Sequence, residues 1–300
     1  MDINRATMDA VFHSVNTKFQ AGLKRPGSEF GAFAMDVPSS TAIETYAWLW
    51  FLSRMRKWEG SRQVQNVEAK KMQVTNLDYE HTIGIKRNDI EDDNIGLYGA
   101  LLEAMGADAA YLWRRLAIEA LVANGNWLDG QAFFYDSRTY NGNAIDNYAT
   151  DALTATTFET ARQTMEQYLR HDGSPAAVVP NLLVVGPKLR STAWHIVKDE
   201  WVAVGTTDTT TATKNPNFGA CELEVWPELV GTYDDYWFLM DTRGIVKPLA
   251  VQKRKEGALV RWDQDYDDCV KNKNENQYGV HYRGAACLTL PHLCFGNFVA

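Results

Sequence analysis

Apolar residues recur at Met8, Val11, Phe12, Val15 and Phe19, a three- and four-residue spacing that predicts an amphipathic helix over residues 4–20. Gly22 and Pro26-Gly27 end it. Residues 30–39 read as an extended, loop-like passage. Residues 43–56 carry Tyr46, Trp48, Trp50 and Phe51 and fit either a helix or a buried strand. The period then changes. Val64, Val67, Ala69, Met72 and Val74 mark one extended arm, with a register break near Lys70-Lys71. Tyr79, His81, Ile83 and Ile85 alternate strictly along a second. The polar Thr75-Asn76-Leu77-Asp78 lies between them, so a long hairpin is expected over residues 59–87. A two-stranded ribbon is marginal alone in water and needs a neighbouring subunit or domain to lie on.

Past the second arm, Asp89-Ile90-Glu91-Asp92-Asp93 opens a long helical pattern that runs to Ala123. Acidic side chains suit a helix N-terminus, and Asp92, Asp93 or Asn94 is the expected cap. Tyr98, Leu101, Leu102, Met105, Ala109, Leu112, Leu116 and Ala120 form one broad apolar face of this spine helix. Gly99 and Gly106 each cost about 1 kcal/mol relative to Ala there, which points to close packing or a bend. Gly125 is the expected stop. Residues 128–147 are loop-rich. An α/β unit follows: a helix with Phe158, Ala161, Met165 and Leu169 buried and a capping box at Thr156 and Glu159, a buried strand at Leu182-Leu183-Val184-Val185, and a helix over residues 189–198. The Thr-rich residues 204–220 read as an exposed loop. The remainder is mostly β, with strands expected at 222–226, 236–240, 245–251 and 258–262, then a final pair at 277–283 and 286–290 running back along the spine.

Composition narrows what this architecture does. The chain has 300 residues and 45% hydrophobic content, enough for one large or two intimately joined domains. Its net charge of -8 disfavours a nucleic-acid grip, although Arg54, Arg56 and Lys57, or Lys253, Arg254 and Lys255, form local basic strips. Cys221, Cys269, Cys287 and Cys294 form no C-x-x-C pair, and the polar N-terminal stretch has no signal-peptide character. Free thiols in a reducing cytosol are expected. No apolar run approaches the roughly 20 residues of a membrane span.

The usual catalytic patterns are missing. There is no G-x-G-x-x-G, Walker lysine loop, G-x-S-x-G elbow or H-E-x-x-H. Gly186-Pro187-Lys188 sits between a strand and a helix but lacks the glycines of a phosphate loop. Asp263, Asp265, Asp267 and Asp268 alternate like a calcium loop, but Asp268 stands where Gly is needed and Asn274 where Glu is needed, so a solvated acidic turn is the better reading. Helix capping accounts for Asp89–Asp93 without a metal. His13, His81, His171, His195, His281 and His292 are scattered, and none pairs at metal-ligand spacing. No catalytic residue, metal or cofactor is expected.

The order of elements resembles the Hong Kong 97-type phage capsid fold, an α+β architecture. The residues narrow it. Trp58-Glu59-Gly60-Ser61-Arg62, Tyr79-Glu80 with Thr82-Ile83-Gly84-Ile85, Arg87 with Asp89–Asp93, and Gly96-Leu97-Tyr98 resemble the signature run of the Mu-like phage major head subunit family (gene product T). So do Met105-Gly106, Asp129-Gly130-Gln131-Ala132-Phe133-Phe134, and Trp237-Phe238-Leu239 with Asp241. Lys247-Pro248-Leu249 with Gln252, Arg254 and Lys255, and Tyr278-Gly279-Val280 with Arg283-Gly284, complete a likeness that covers about residues 3–298.

The resemblance implies a shell-forming subunit, not an enzyme. Residues 1–58 would be an N-terminal arm and helix. Residues 59–87 would be the family's E-loop, with Val64, Val67, Met72, Val74 and Leu77 lying on a neighbouring subunit. Residues 88–151 and 241–300 would be a peripheral domain built on the spine residues Tyr98, Leu101, Met105, Leu112 and Leu116. Residues 152–240 would be the axial domain. The implied partners are copies of the same chain, as pentamers and hexamers, together with scaffold, portal and head-decoration proteins. The shell would enclose double-stranded DNA without sequence-specific binding or a membrane. Its place would be the virion, after assembly in the bacterial host cytoplasm. Lys70 and Lys71 lie in the arm where some members cross-link, but no acceptor Asn or catalytic Glu follows by motif, so no cross-link is expected. Two other readings are an encapsulin-like compartment shell and a soluble α/β enzyme with an unusual insertion. The gene neighbours would separate the first from a phage head, and a convergent polar pocket would mark the second.

Overall fold

The alternation at Tyr79, His81, Ile83 and Ile85 is one face of a strand, and that strand lies in the body of the subunit, not on an arm. The computed structural model of the chain describes residues 5–24, 26–46, 72–92, 96, 98–140, 142–170, 173–206 and 209–299. Helix α1 (Arg5–Leu23) precedes strands β1 (Ala34–Pro38), β2 (Ile43–Tyr46), β3 (Met72–Thr75) and β4 (Leu77–Lys86). A short helix α2 (Arg87–Glu91) and the spine α3 (Gly99–Ala123) follow, then β5 (Thr139–Tyr140), β6 (Asn143–Ala144) and β7 (Tyr148–Ala149). The next part holds α4 (Ala155–Glu166), β8 (Leu182–Val185), α5 (Arg190–Val197), β9 (Trp201–Thr206), β10 (Thr209–Lys214), β11 (Glu222–Val225) and β12 (Trp237–Met240). The last part holds β13 (Leu249–Lys255), β14 (Val260–Trp262), α6 (Asp268–Lys273), β15 (Glu275–Leu288) and β16 (Cys294–Asn297).

The long β15 organises the first sheet. β4 pairs antiparallel along one edge, from Leu77↔Gly284 to Lys86↔Glu275. β13 and β14 lie end to end along the other, and β1 runs parallel beside β13. The two strands expected at 277–283 and 286–290 are therefore one. It passes without a break through Gly284, where a Cβ would fall 2.6 Å from the Trp113 ring. The expected hairpin is also corrected. β3 does not pair with β4. It pairs with β2, while β4 pairs with β15. Burial decides this: Tyr79, Ile83 and Ile85 share a face with Tyr282, Tyr278 and Asn276, and that face needs the helical layer above it.

The helical layer is α1 laid against α3. Met8, Val11, Val15 and Phe19 are buried from one side, and Leu102, Met105, Ala109, Leu112 and Leu116 from the other. Trp113 meets Tyr282 edge-on at 5.9 Å between ring centroids. The spine is 25 residues, roughly 38 Å at ~1.5 Å per residue. Leu101, expected on its apolar face, is 50% exposed, because the buried stripe runs through Leu102 and Met105. The acidic run does not cap the spine. Asp89 belongs to α2, where its carboxylate accepts a hydrogen bond from the Tyr98 hydroxyl, and Tyr98 precedes α3 with no side-chain cap. Asp93 and Asn94 lie outside the described residues. The helix stops at Asn124, which takes the left-handed conformation (φ 46°) expected of Gly125.

The second sheet runs in the order β11-β8-β12-β16-β7 and has a different core on each face. Leu183, Val185, Trp237, Leu239 and Phe295 face α4 and α5. Leu182, Val184, Phe238, Met240 and Cys294 join the core that contains the spine. Period-2 alternation in fully buried strands thus welds the two halves together. β7 and β16 bring residues 148–149 and 294–297, expected in the peripheral part, into this sheet. Two local expectations change. The capping box of α4 is Thr154 with Thr157, two residues before Thr156 and Glu159. The Thr-rich stretch is not a loop but the β9–β10 hairpin, paired from Trp201↔Lys214 to Thr206↔Thr209. β-branched threonines favour that extended backbone.

His292 lies beside this second core, 2% exposed and edge-on to the Tyr168 ring at 5.9 Å. Burial pulls its pKa down from 6.5 to about 4, with the Arg138 and Arg170 charges adding to the effect. The unfolded chain therefore binds more protons between those values. Stability from the neutral ring is complete above pH 6.5 and is lost as pH falls toward 4, by on the order of 3 kcal/mol. Urea midpoints of unassembled subunit should fall between pH 7 and pH 5, and His292→Phe should flatten that slope. The carboxylates held low, Asp241 and Glu44, act further down the scale. An unchanged slope in His292→Phe would remove this residue as the cause.

Candidate assembly surface

β2 and β3 form a two-stranded antiparallel ladder, Ile43↔Thr75 to Tyr46↔Met72. Tyr46 and Met72, the described residues on either side of residues 47–71, therefore stand opposite each other. The inner face of the ladder carries Tyr46 and Val74, both 7% exposed, while Ile43 is 47% exposed on the outer face. A polar node pins this root to the first sheet. Gln252 of β13 is fully buried; its Nε2 donates to Asn76 Oδ1 at 2.7 Å, and its Oε1 accepts from the Tyr46 hydroxyl at 2.7 Å. Asn76 Nδ2 donates to Ser39 Oγ and to the Thr41 carbonyl, each at 2.8 Å. Glu44 closes the turn before β2, accepting from the backbone N–H groups of Thr41 and Ser40 and from Ser39 Oγ. Those bonds, that of Thr41 first, hold its pKa down at about 2. Burial raises the Tyr46 phenol to about 12.

A polar node inside an apolar sheet fixes direction as well as position. Gln252→Leu keeps the bulk but leaves the buried Asn76 carbonyl without its donor, a penalty of roughly 1–3 kcal/mol. The expected result is faster hydrogen exchange at residues 72–76 with little change along β15. Uniform loss of protection across both sheets would show that the node supports the whole fold, not the arm root.

Of the residues expected to contact a neighbour, Val64 and Val67 lie outside the described residues. Val74 is turned to its own sheet and Met72 packs partly on the same core, whereas Leu77 is 56% exposed at the start of β4. On the spine, Met105, Leu112 and Leu116 are buried, and Tyr98 is half-buried beside Asp89. Sequence reasoning missed Asn76 and Glu44, and named Gln252 only as part of the family signature. A glutamine following Leu249-Ala250-Val251 in a buried strand is the signal that marks the node.

Two exposed aromatic patches complete the surface. Trp194, Trp201 and Phe218 stand near the end of α5 and the root of the β9–β10 hairpin, each about half exposed. Trp262, at the end of β14, and Tyr266, between β14 and α6, are 40% and 73% exposed. On α5, Ser191, His195 and Asp199 line up at four-residue spacing, with His195 Nε2 3.5 Å from Ser191 Oγ and Nδ1 2.5 Å from Asp199. The order mimics a hydrolytic triad, but His195 is 67% exposed on an open helix face, where i,i+4 pairing accounts for it. Lys188, from the phosphate-loop-like turn, is taken up by Asp235 at 2.6 Å. Among the described residues, no cluster of His, Cys, Asp or Glu is arranged to hold a metal, and no helix is long and apolar enough to cross a membrane.

Comparison with known proteins gives a consistent result. A model of the family described as Mu-like prophage major head subunit gpT matches residues 8–149, 146–229 and 224–298. The major capsid protein of Escherichia phage Mu is 36% identical over 136 residues, 45% of this chain and 45% of that one. The Mu-like prophage FluMu major head subunit of Haemophilus influenzae is 34% identical over 127 residues, 42% of this chain and 41% of that one. Each alignment therefore spans less than half the length of the relative it matches. Over nearly the whole fold, a chain from the procapsid of bacteriophage JBD30 superposes with a TM-score of 0.59 at 26% identity, covering 98% of this chain and 76% of that one.

Proposed function

The chain belongs to the family of Mu-like prophage major head subunits, and from that premise we propose that it is the shell-forming subunit of a tailed-phage head. Copies assemble as pentamers and hexamers and close into an icosahedral shell around double-stranded DNA. The family is one of structural capsid proteins, not of enzymes. The single observation that supports the reading is the arm root: Tyr46 and Met72, the described residues on either side of residues 47–71, stand opposite each other in one ladder, and the buried Gln252 node fixes that ladder to the first sheet. A ribbon of this kind gains stability from a surface outside its own chain. Residues 47–71 are thus the intersubunit arm, shifted from the 59–87 read from the sequence. The spine and first sheet form the peripheral part, and α4, α5 and the β9–β10 hairpin the axial part.

The acidic balance of the chain suits this role. A shell confines DNA by closure, and an inner surface that gripped phosphate would resist packaging and ejection. Scaffold, portal and decoration proteins are the further partners, and the bacterial cytoplasm is the place of assembly. The compartment-shell and enzyme readings are not favoured, because the family match runs through all three parts of the chain. Negative-stain electron microscopy of the purified protein should show closed particles of uniform diameter. A light-scattering mass of only a few subunits, at every salt and protein concentration, would overturn the proposal.

A further inference from the structure

We propose that Asp263 is a buried proton-binding site, and that a proton held there fastens the first half of α1 to β14 and β15. The fold breaks up the acidic alternation at Asp263, Asp265, Asp267 and Asp268. Asp265 turns outward to Arg87 at 2.7 Å. Asp267, just before α6, accepts from the Gln264 N–H at 2.8 Å, and Asp268 is exposed. Of the four, only Asp263 turns inward, with its side chain 0% exposed.

Each element packed around Asp263 contributes to the site. Arg261 of β14 stands 3.7 Å away through Nε, but its nearer carboxylate is Asp9 of α1, 2.6 Å from Nη2. The same guanidinium lies 4.9 Å from the centroid of the Phe12 ring, and Phe12 stacks on Tyr278 of β15 at 6.4 Å. Gln264 Nε2 donates to Asp263 Oδ1 at 2.7 Å, and Asp267 is the remaining charge nearby. Three polar atoms are left over in this closed space. Asp263 Oδ2, Arg261 Nη1 and the Tyr278 hydroxyl are buried and bond nothing among the described residues. Burial first, and then the Asp263 charge, pushes the Tyr278 phenol up, so the two groups are within electrostatic reach. A carboxylate oxygen shut from water without a donor is costly, and a proton relieves it. Burial accordingly pushes the Asp263 carboxyl above the ordinary carboxylate range, against the Gln264 bond and Arg261. With Asp263 neutral, Arg261 serves Asp9 alone and holds α1 down.

The first half of α1 is the lid of this site, because Phe12 covers Tyr278 and Arg261. The second half is fixed separately, with Phe19 and Gly22 backbone to backbone on α3. Lifting the first half would hydrate the carboxylate. The closed form therefore binds the proton more tightly than the open form, and acid favours closure. Closure is gained as pH falls from 7 and is complete below the ordinary carboxylate value. This sign is opposite to that of His292, whose charging weakens the whole fold.

Amide hydrogen exchange of the full chain, read by mass spectrometry and corrected for the intrinsic pH dependence of exchange, tests the proposal. Residues 5–16 are expected to be better protected at pH 5 than at pH 7.5, with residues 17–23 unchanged. Asp263→Asn mimics the neutral carboxyl. It should give residues 5–16 the acid-level protection at both pH values and abolish the difference between them. A difference that survives in Asp263→Asn would overturn the proposal. So would faster exchange of residues 5–16 in that variant at both pH values, which would mean that α1 needs the ionised carboxylate, bridged by water to Arg261 and Tyr278. Should Asp263→Asn not fold, Phe12→Ala gives the reading. Without its lid the carboxyl is hydrated in both forms, so the pH difference over residues 5–16 should vanish, and its persistence would sink the site.

Discussion

A chain in which residues 48–70 are replaced by Asn-Gly is expected to fold, stay soluble and form no closed shells. Sedimentation should drop from the particle to the free subunit or small capsomer. The fold survives because everything that holds the arm root lies outside the excised residues. Tyr46 and Met72 remain opposite each other, Gln252 still bonds Tyr46 and Asn76, and Asn-Gly supplies the tight turn a two-residue hairpin needs. Assembly fails because the lost contact recurs at every subunit, and a closed shell tolerates no systematic loss of one interface. The boundaries matter. An excision running from Val64 to Leu77, which the sequence pattern alone would recommend, removes Val74 and Asn76, at 7% and 3% exposure, and would test folding instead. Normal particles from the shortened chain would show that residues 47–71 are not an intersubunit arm.

The shift of that boundary shows what the sequence carries and what it does not. Periodicity located α1, the buried face and the end of the spine, and the buried strand β8, because each exposes its pattern locally: Met8, Val11, Val15 and Phe19 need no knowledge of a partner. The start of the spine falls at Gly99, ten residues after Asp89, where the acidic run is expected to open it. Pairing is a different kind of information. β3 and β4 are neighbours in sequence and look like two arms of one ribbon, yet their partners are β2 and β15. Alternation says that a strand has a buried face without saying what buries it. β16 was missed for a similar reason. Cys294-Phe295-Gly296-Asn297 is too short to show a period, and it is a strand because β12 and β7 flank it. Caps fail through degeneracy, since three threonines (Thr154, Thr156, Thr157) offer competing boxes within four residues. The family signature was legible because it depends on the order of many short motifs, and no single pairing can upset it. The arm root was not, because Gln252 and Asn76 are ordinary residues until the fold brings them together.

Gly106→Ala is expected to destabilise the subunit, and the sign is what matters. Judged on helix propensity alone, replacing a mid-helix glycine by alanine should add about 1 kcal/mol of stability. Packing predicts the reverse. A Cβ on Gly106 would collide with the Phe19 carbonyl oxygen and reach within 3.0 Å of its carbon and 3.1 Å of the Gly22 Cα. A Cβ on Gly22 would in turn meet the Glu103 carbonyl and lie 2.8 Å from the Ala107 nitrogen. These obstacles are backbone atoms and cannot swing aside, so α1 must lift from α3. Overpacking of this kind costs typically 1–3 kcal/mol and occasionally more. Here it also strains the seat of Phe19 and Val15, each worth roughly 1.5–3 kcal/mol buried. Packing therefore outweighs propensity, and a net loss of about 2 kcal/mol or more is expected. Gly99 is the control. A Cβ there meets only the flexible end of Lys18, at 3.7 Å, so Gly99→Ala should be neutral or mildly stabilising. Urea unfolding of both variants in the arm-shortened chain, free of assembly, gives the two signs directly. If Gly106→Ala and Gly99→Ala move the midpoint in the same direction, the helices do not meet backbone to backbone at this crossing.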